Sequence, residues 1–203
     1  MSKIDKKKKE KKESLLATAF ELFTTTGFNK TSISDISKNA GVGKGTFYLY
    51  FRDKYDIRNK LIAHKSNELF NKAHNELLKH SDIIDIEDKI IFIVDYTIDE
   101  LKENQRLLNF ISKNLGWGIF KNALTNYSPS DENEVSFLDY YMNMINDDKY
   151  KFKAPEVMLF LIIELVSSTC YSAILYNEPL SIDDLKPYLY STIRNIIKDN
   201  IID

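Results

Sequence analysis

Six glycines and four prolines in 203 residues leave this chain few places to turn tightly, so its fold must rest on long helices rather than many short strands. The apolar residues follow the same logic. Leu15, Leu16, Ala19, Phe20 and Phe23 recur at the spacing of one helix face, and further helices are expected near 54–78, 87–104, 107–121, 132–146, 155–177 and 182–200. Residues 122–131 read as a loop. No segment alternates with period two for long enough to make a strand, and the expected class is all-α.

Charge divides the chain. Residues 1–54 carry 12 Lys/Arg and 6 Asp/Glu, a net of +6, whereas 55–203 carry 16 and 24, a net of −8. A basic module joined to an acidic one suggests that only the first faces a polyanion. Seven lysines crowd into 3–12 against Asp5 and Glu10. They are expected to form a disordered arm with weak, nonspecific attraction to phosphate. Cys170 is the one cysteine. With no signal-peptide pattern at the start, it points to a reducing cytoplasm. The longest apolar run, Val157 to Ile163, stops at Glu164, too short to span a bilayer, so no membrane partner is expected.

Between 13 and 54 the local signals are dense. Gly27 can end the first helix in a left-handed turn, with Phe28 folding back on Phe23. Ser32-x-x-Asp35 has the form of a capping box for a short second helix holding Ile33, Ile36 and Ala40 inward. Gly41 stops that helix, and Lys44 to Phe51 form a third, with Phe47 and Phe51 apolar at i, i+4. Small residues at Ser37 and Ala40, a glycine turn and an apolar wedge (Ile33, Ile36, Val42, Phe47) suit a helix-turn-helix. In such a motif the second helix enters the DNA major groove.

The stretch from Leu15 to Ile57, LLATAFELFTTTGFNKTSISDISKNAGVGKGTFYLYFRDKYDI, resembles the DNA-binding domain of the TetR/AcrR family of bacterial regulators. The matching positions are Glu21-Leu22-Phe23, Gly27-Phe28, Thr31-Ser32, Asp35-Ile36, Ala40-Gly41-Val42, Lys44-Gly45-Thr46-Phe47-Tyr48, Tyr50-Phe51 and Lys54. Gly43 departs from the family's serine. Glycine is an acceptable helix N-cap, so the fold should lose only a few tenths of a kcal/mol, but one hydroxyl contact to phosphate is absent. The resemblance implies that Thr31, Tyr48, Tyr50 and Lys54 contact phosphates, while Lys44, Gly45 and Thr46 reach base edges or the adjacent backbone. Lysine can donate to guanine O6 and N7, and tyrosine offers a directional hydroxyl on a stiff ring. The competing role for Tyr48 and Tyr50 is packing beneath the helix, but Phe47 and Phe51 already claim that face.

The organisation this implies is a helix-turn-helix domain at 1–55 (motif 32–51, basic arm 1–12) and a helical effector-binding and dimerisation domain at 56–203. The reading is a transcriptional repressor released from a palindromic operator by a small lipophilic effector. An activator of the same family, or a nonspecific nucleic-acid or membrane-surface binder, are the alternatives. Enzyme signatures are missing. Around Gly41–Thr46 the glycine spacing fits neither a phosphate loop nor a dinucleotide fingerprint. His64, His74 and His80 lack metal-ligand spacing, and Cys170 has no Cys or His partner nearby. No catalytic residue, metal or cofactor is expected.

Residues 155–177 are apolar almost all round, which suits a helix buried on every side, and 182–200 adds the stripe Leu185, Tyr188, Leu189, Ile193, Ile196 and Ile197. The resemblance implies a homodimer through these two segments. Effector contacts are expected from Phe92, Asp95, Tyr96, Trp117, Tyr140, Glu164 and Tyr171. A buried carboxylate at Asp95 or Glu164 would call for a cationic ligand resting on aromatic faces.

Overall fold

The computed structural model describes residues 3–114, 135–147 and 149–202. Among them the protein is helical: α1 (Lys3–Leu22), α2 (Ile33–Asn39), α3 (Lys44–Tyr50), α4 (Lys54–Leu77), α5 (Ile86–Glu103), α6 (Gln105–Asn114), α7 (Phe137–Asn146), α8 (Pro155–Tyr176) and α9 (Ile182–Asn200). One departure from all-helix is a two-residue antiparallel pairing of Lys151–Phe152 with Ile201–Ile202, too short for any alternation to announce it. The expected loop at 122–131 and the ends of the helices expected at 107–121 and 132–146 lie outside the described residues.

Two apolar clusters organise the molecule. The first takes Leu15, Leu16, Ala19 and Phe23 from the α1 side, Ile36, Phe47 and Phe51 from the helix-turn-helix, and Ile57, Leu61 and Ile62 from α4. It also takes Leu101, Leu108, Phe110 and Ile111 from the end of α5 and from α6. The N-terminal helices therefore share a core with the C-terminal half rather than hanging from it on a linker. The second cluster joins α5, α7, α8 and α9 around Ile98, Met158, Ile193 and Ile197, each buried completely. Along its rim ion pairs tie α5 to α9, namely Lys102–Asp183 at 2.9 Å, Lys186–Asp99 at 2.5 Å and Arg194–Asp88 at 2.7 Å. Exposed pairs of this kind contribute about 0–1 kcal/mol each, so the apolar seam decides the packing and the charges fix its register.

Three expectations need correction. The lysine-rich segment is helical, continuous with α1 from Lys3. Lysine and glutamate are good helix formers, no glycine or proline interrupts them, and the packed turns from Glu13 onward supply the nucleus that an isolated arm would lack. Secondly, the chain itself buries only one side of α8, leaving open the other, where the sequence implies a second subunit. Met158, Leu159, Ile162, Cys170 and Ala173 are buried, but Val157 and Leu161 are 52% and 42% exposed. At 22 residues α8 is also long and apolar enough, by length and composition, to cross a membrane. Glu164 does not end the helix, so the apolar run alone understated its length. Thirdly, the stripe on α9 is used within the chain. Leu189, Ile193 and Ile197 are core, and of that stripe Tyr188 is the residue left open, at 67% exposure.

Candidate DNA-binding face and effector cavity

The helix-turn-helix is set by short-range bonds. After α1 the chain makes one wide turn, Phe23–Gly27, that closes at Gly27 with φ +94°. A side chain would be strained there, and glycine is not. Phe28 then lies against Phe23, ring centroids 5.1 Å apart. The capping box forms. Ser32 Oγ accepts from the Asp35 amide (3.1 Å), and Asp35 Oδ2 accepts from the Ser32 amide (2.9 Å). The Ser32 hydroxyl and amide hold the Asp35 carboxyl below its ordinary range. Gly41, at φ +68°, turns the chain, and the Val42 amide donates to the Ser37 carbonyl at 3.0 Å. Gly43 caps α3 without a side-chain bond. A Cβ at Gly43 or Gly45 would meet nothing within 4 Å, so both glycines look onto open space.

On α3, Phe47 is fully buried, with Phe51 behind it. The opposite face is open. Lys44 and Gly45 are exposed, Thr46 is half-buried, and Tyr48 is 57% exposed. Leu49, 79% exposed, belongs to the same surface and was missed in the sequence. Its position next to Tyr48 and four residues after Gly45 was the available signal. An aliphatic side chain there suits contact with a thymine methyl.

The other expected contacts differ. Thr31 is buried, and its hydroxyl donates to the Gly27 carbonyl at 2.9 Å. The Lys54 ammonium donates to the carbonyls of Phe28 (2.8 Å) and Thr31 (3.0 Å) and lies 4.3 Å above the Phe28 ring. In this conformation both are internal braces that lock the start of α4 to the loop between α1 and α2, not free phosphate ligands. Tyr50 is half-buried, its ring 6.3 Å from Phe51.

A cavity of about 180 Å³ opens between α4, α5, α7 and α8. Its wall holds Leu69 and Phe70 from α4, Ile90, Val94 and Leu101 from α5, and Ile111 from α6. Phe137, Tyr140, Tyr141 and Met144 come from α7, with Leu159, Ile162 and Val166 from α8. Ser66, Thr97 and Ser167 add hydroxyls, and no charged side chain lines it among the described residues. Burial raises the Tyr140 and Tyr141 phenols above their ordinary values. The Tyr141 hydroxyl is already spent on the Pro155 carbonyl at 2.7 Å.

Of the six expected effector residues that are described, Tyr140 alone lines this cavity. Phe92, Asp95 and Tyr96 face a separate pocket with Asp99, Glu100 and Glu103. Asp95 is compensated within the chain, accepting from Lys186 at 2.6 Å and from the Tyr190 hydroxyl. Glu164 is half-buried on α8 outside the wall, and Tyr171 packs toward the N-terminal cluster. Trp117 lies outside the described residues. A cationic ligand therefore finds no carboxylate to pair with in this cavity among the described residues.

Cavity and helix-turn-helix share two helices. The first is α4, with Leu69 and Phe70 in the cavity wall and Ile57 and Leu61 in the N-terminal core. The second is α6, where Ile111 meets the cavity and Phe110 packs edge-on against Phe20 at 5.5 Å. Arg106 on α6 donates to Glu21 (2.8 Å) and Thr24 (2.9 Å).

Residues 15–61 match the family described as bacterial regulatory proteins, tetR family. Residues 15–61 therefore form a TetR-family N-terminal module. The HTH-type transcriptional regulator YerO of Bacillus subtilis (strain 168) is 29% identical over 185 residues. That match takes in 77% of this chain and 63% of YerO, so the chain spans less than two thirds of that relative. Among solved structures, a TetR-family transcription regulator from Shewanella sp. PV-4 superposes with a TM-score of 0.64 at 16% identity, over 95% of this chain and 99% of that one. FadR from Bacillus subtilis, in complex with stearoyl-CoA, gives 0.62 at 15% identity over 89% and 96%. These likenesses extend the TetR-family fold beyond the N-terminal motif to nearly the whole chain.

Proposed function

We propose that this TetR-family chain is a cytoplasmic, ligand-responsive transcriptional regulator that binds a palindromic operator as a homodimer and represses until a small lipophilic effector fills the cavity. The observation that carries the DNA half is the division of α3 into a buried face (Phe47) and an open one (Lys44, Gly45, Tyr48, Leu49). A helix so presented, braced by α2, is what major-groove insertion requires. Catalysis has no part in the reading.

The effector half rests on the cavity wall. An apolar cavity of 150 Å³ is enough to bind benzene, and this one is slightly larger. With no charge in the described wall, the part of the effector that enters must be uncharged and apolar, which replaces the lipophilic cation. The FadR complex with stearoyl-CoA shows that this fold can hold a molecule with a long apolar chain, and an alkyl or acyl chain is a fitting body for the cavity here. A ligand that occupies it moves walls carried by α4 and α6, and it shifts the dimer away from the DNA-competent arrangement only by its differential affinity for the two.

The dimer surface we assign to the open side of α8, where Val157, Leu161 and Ser168 are exposed at i, i+4 and i+11, joined by Tyr188 of α9. A two-fold assembly presents two copies of α3 to two half-sites. Selection from a random duplex pool should therefore recover a near-palindrome whose half-sites lie about one helical turn, or a multiple of it, apart. Recovery of only nonsymmetric or unrelated sequences would sink the proposal.

A further inference from the structure

We infer that the first turns of α1 carry a second contact with the DNA backbone: a strip of four lysines, Lys7, Lys8, Lys11 and Lys12, that binds duplex phosphates beyond the stretch entered by α3. The inference rests on the DNA-binding reading above and adds a surface to it. Three observations support it.

First, the segment is a helix, so its lysines have fixed directions. Leu15, Leu16 and Ala19, all buried, mark the inward face of α1. At 100° per residue, the direction of Leu15 is continued toward the N-terminus by Lys8 and Lys11, flanked by Lys12 and Lys7, all within about 80° of it. Glu10 falls about 140° away, and Asp5 stands at the border of the strip. The face that enters the core after Ser14 therefore becomes cationic before it.

Second, that face has lost its cover. Lys7, Lys8 and Lys11 are exposed, and Lys12 is half-buried. The helix runs on past the body of the domain with its inward side turned to solvent.

Third, the overhang starts beside the recognition helix. Ser14 Oγ donates to the carbonyl of Ala40 at 3.3 Å, and Ala40 is the C-cap of α2, four residues before α3 begins at Lys44. From Ser14 to Lys3 the helix extends roughly 16 Å, which matches about five base-pair steps of 3.4 Å. Crowded like charges repel one another and gain most from a polyanion. The strip lies on the side of α1 where the turn between α2 and α3 is bonded.

The experiment compares the parent chain with a K7Q/K8Q/K11Q/K12Q variant, since glutamine keeps helix propensity and side-chain reach. Affinity for the selected duplex is measured against salt, on the minimal site and on one extended by about six base pairs at each end. The parent should bind the extended duplex more tightly. The variant should lose that gain and show a slope of log K against log salt shallower by up to about 3.6 per protomer, if all four lysines reach phosphates. Its preference for the selected sequence over random duplex should be unchanged, because phosphate contacts carry no base information. Equal salt slopes and equal dependence on flanking DNA in the two proteins would overturn the inference while leaving the DNA-binding reading intact. Reduced helicity or loss of the dimer in the variant would show the lysines to be structural and overturn it as well. Binding to phosphatidylserine vesicles that the variant loses, with duplex binding unchanged, would assign the strip to a membrane surface instead. A parent that selects no duplex at all would remove the DNA-binding reading and this contact together.

Discussion

The face of α3 and the cavity behind α4 obey opposite rules. On α3 the candidate contact side chains are those the fold leaves uncovered, and their surroundings impose little on their identity. In the cavity the candidate side chains are core residues that pack on one another around an unfilled space. A substitution on the first surface should change binding and spare the fold. A substitution in the second changes packing whether or not it changes binding, so the two regions call for different controls.

The sharpest contrast sits within one helix. Phe47→Ala removes a fully buried ring and should destabilise the protein by about 3–5 kcal/mol, read as a much earlier thermal transition. Its neighbour Tyr48, more than half exposed, should behave otherwise. Tyr48→Ala should lower operator affinity at least tenfold with the melting temperature nearly unchanged, as read by anisotropy beside calorimetry. If both variants melted early, the distinction between surface and core on α3 would collapse.

A smaller effect is expected from filling the cavity. Val94 lines it and is 9% exposed. Val94→Phe adds a ring to free volume, so the usual overpacking cost of about 1–3 kcal/mol should be reduced. DNA affinity should remain within a few-fold of the parent, and release by an apolar ligand should weaken tenfold or more. A variant that released DNA as readily as the parent would move the ligand site elsewhere.

The smallest effect is one of pH. His74, on α4 outside the cavity wall, is buried between Phe70 and Tyr140, with ring centroids 5.8 and 4.5 Å away. Its Nδ1 has no hydrogen-bond partner among the described residues, and burial lowers its pKa from 6.5. The unfolded chain therefore binds the proton more readily, so stability is fully present above about pH 6.5 and falls as the pH drops through the folded value. Denaturant midpoints should decline from pH 7 to 5 in the parent, and His74→Phe should flatten that slope. An equal slope in both would mean that other groups titrate there.

The two regions also differed in how far the sequence revealed them. The capping box at Ser32 and Asp35, the left-handed glycines 27 and 41, and the inward pair Phe47 and Phe51 are local signals. Each involves residues within a few positions of one another, so spacing alone exposes them. Thr31 and Lys54 were misplaced because their partners, the carbonyls of Gly27 and Phe28, belong to a folded loop that spacing does not show. The cavity was harder still. Leu69, Val94, Tyr140 and Ile162 meet only through tertiary packing, and in sequence they are indistinguishable from ordinary core. Conspicuous residues drew attention instead. Asp95 looked like an uncompensated charge because Lys186 and Tyr190, its partners, lie some ninety positions away.

Central to this account is that an uncharged apolar body in the cavity releases the protein from DNA. The most direct measurement titrates octanol, octanoate and octylammonium, one tail with three head groups, into a preformed complex with the selected duplex, for the parent and for Val94→Phe. The account predicts that octanol releases DNA from the parent at the lowest concentration of the three, and that Val94→Phe resists it. Release by octylammonium alone, or equal release of parent and variant by octanol, would contradict it.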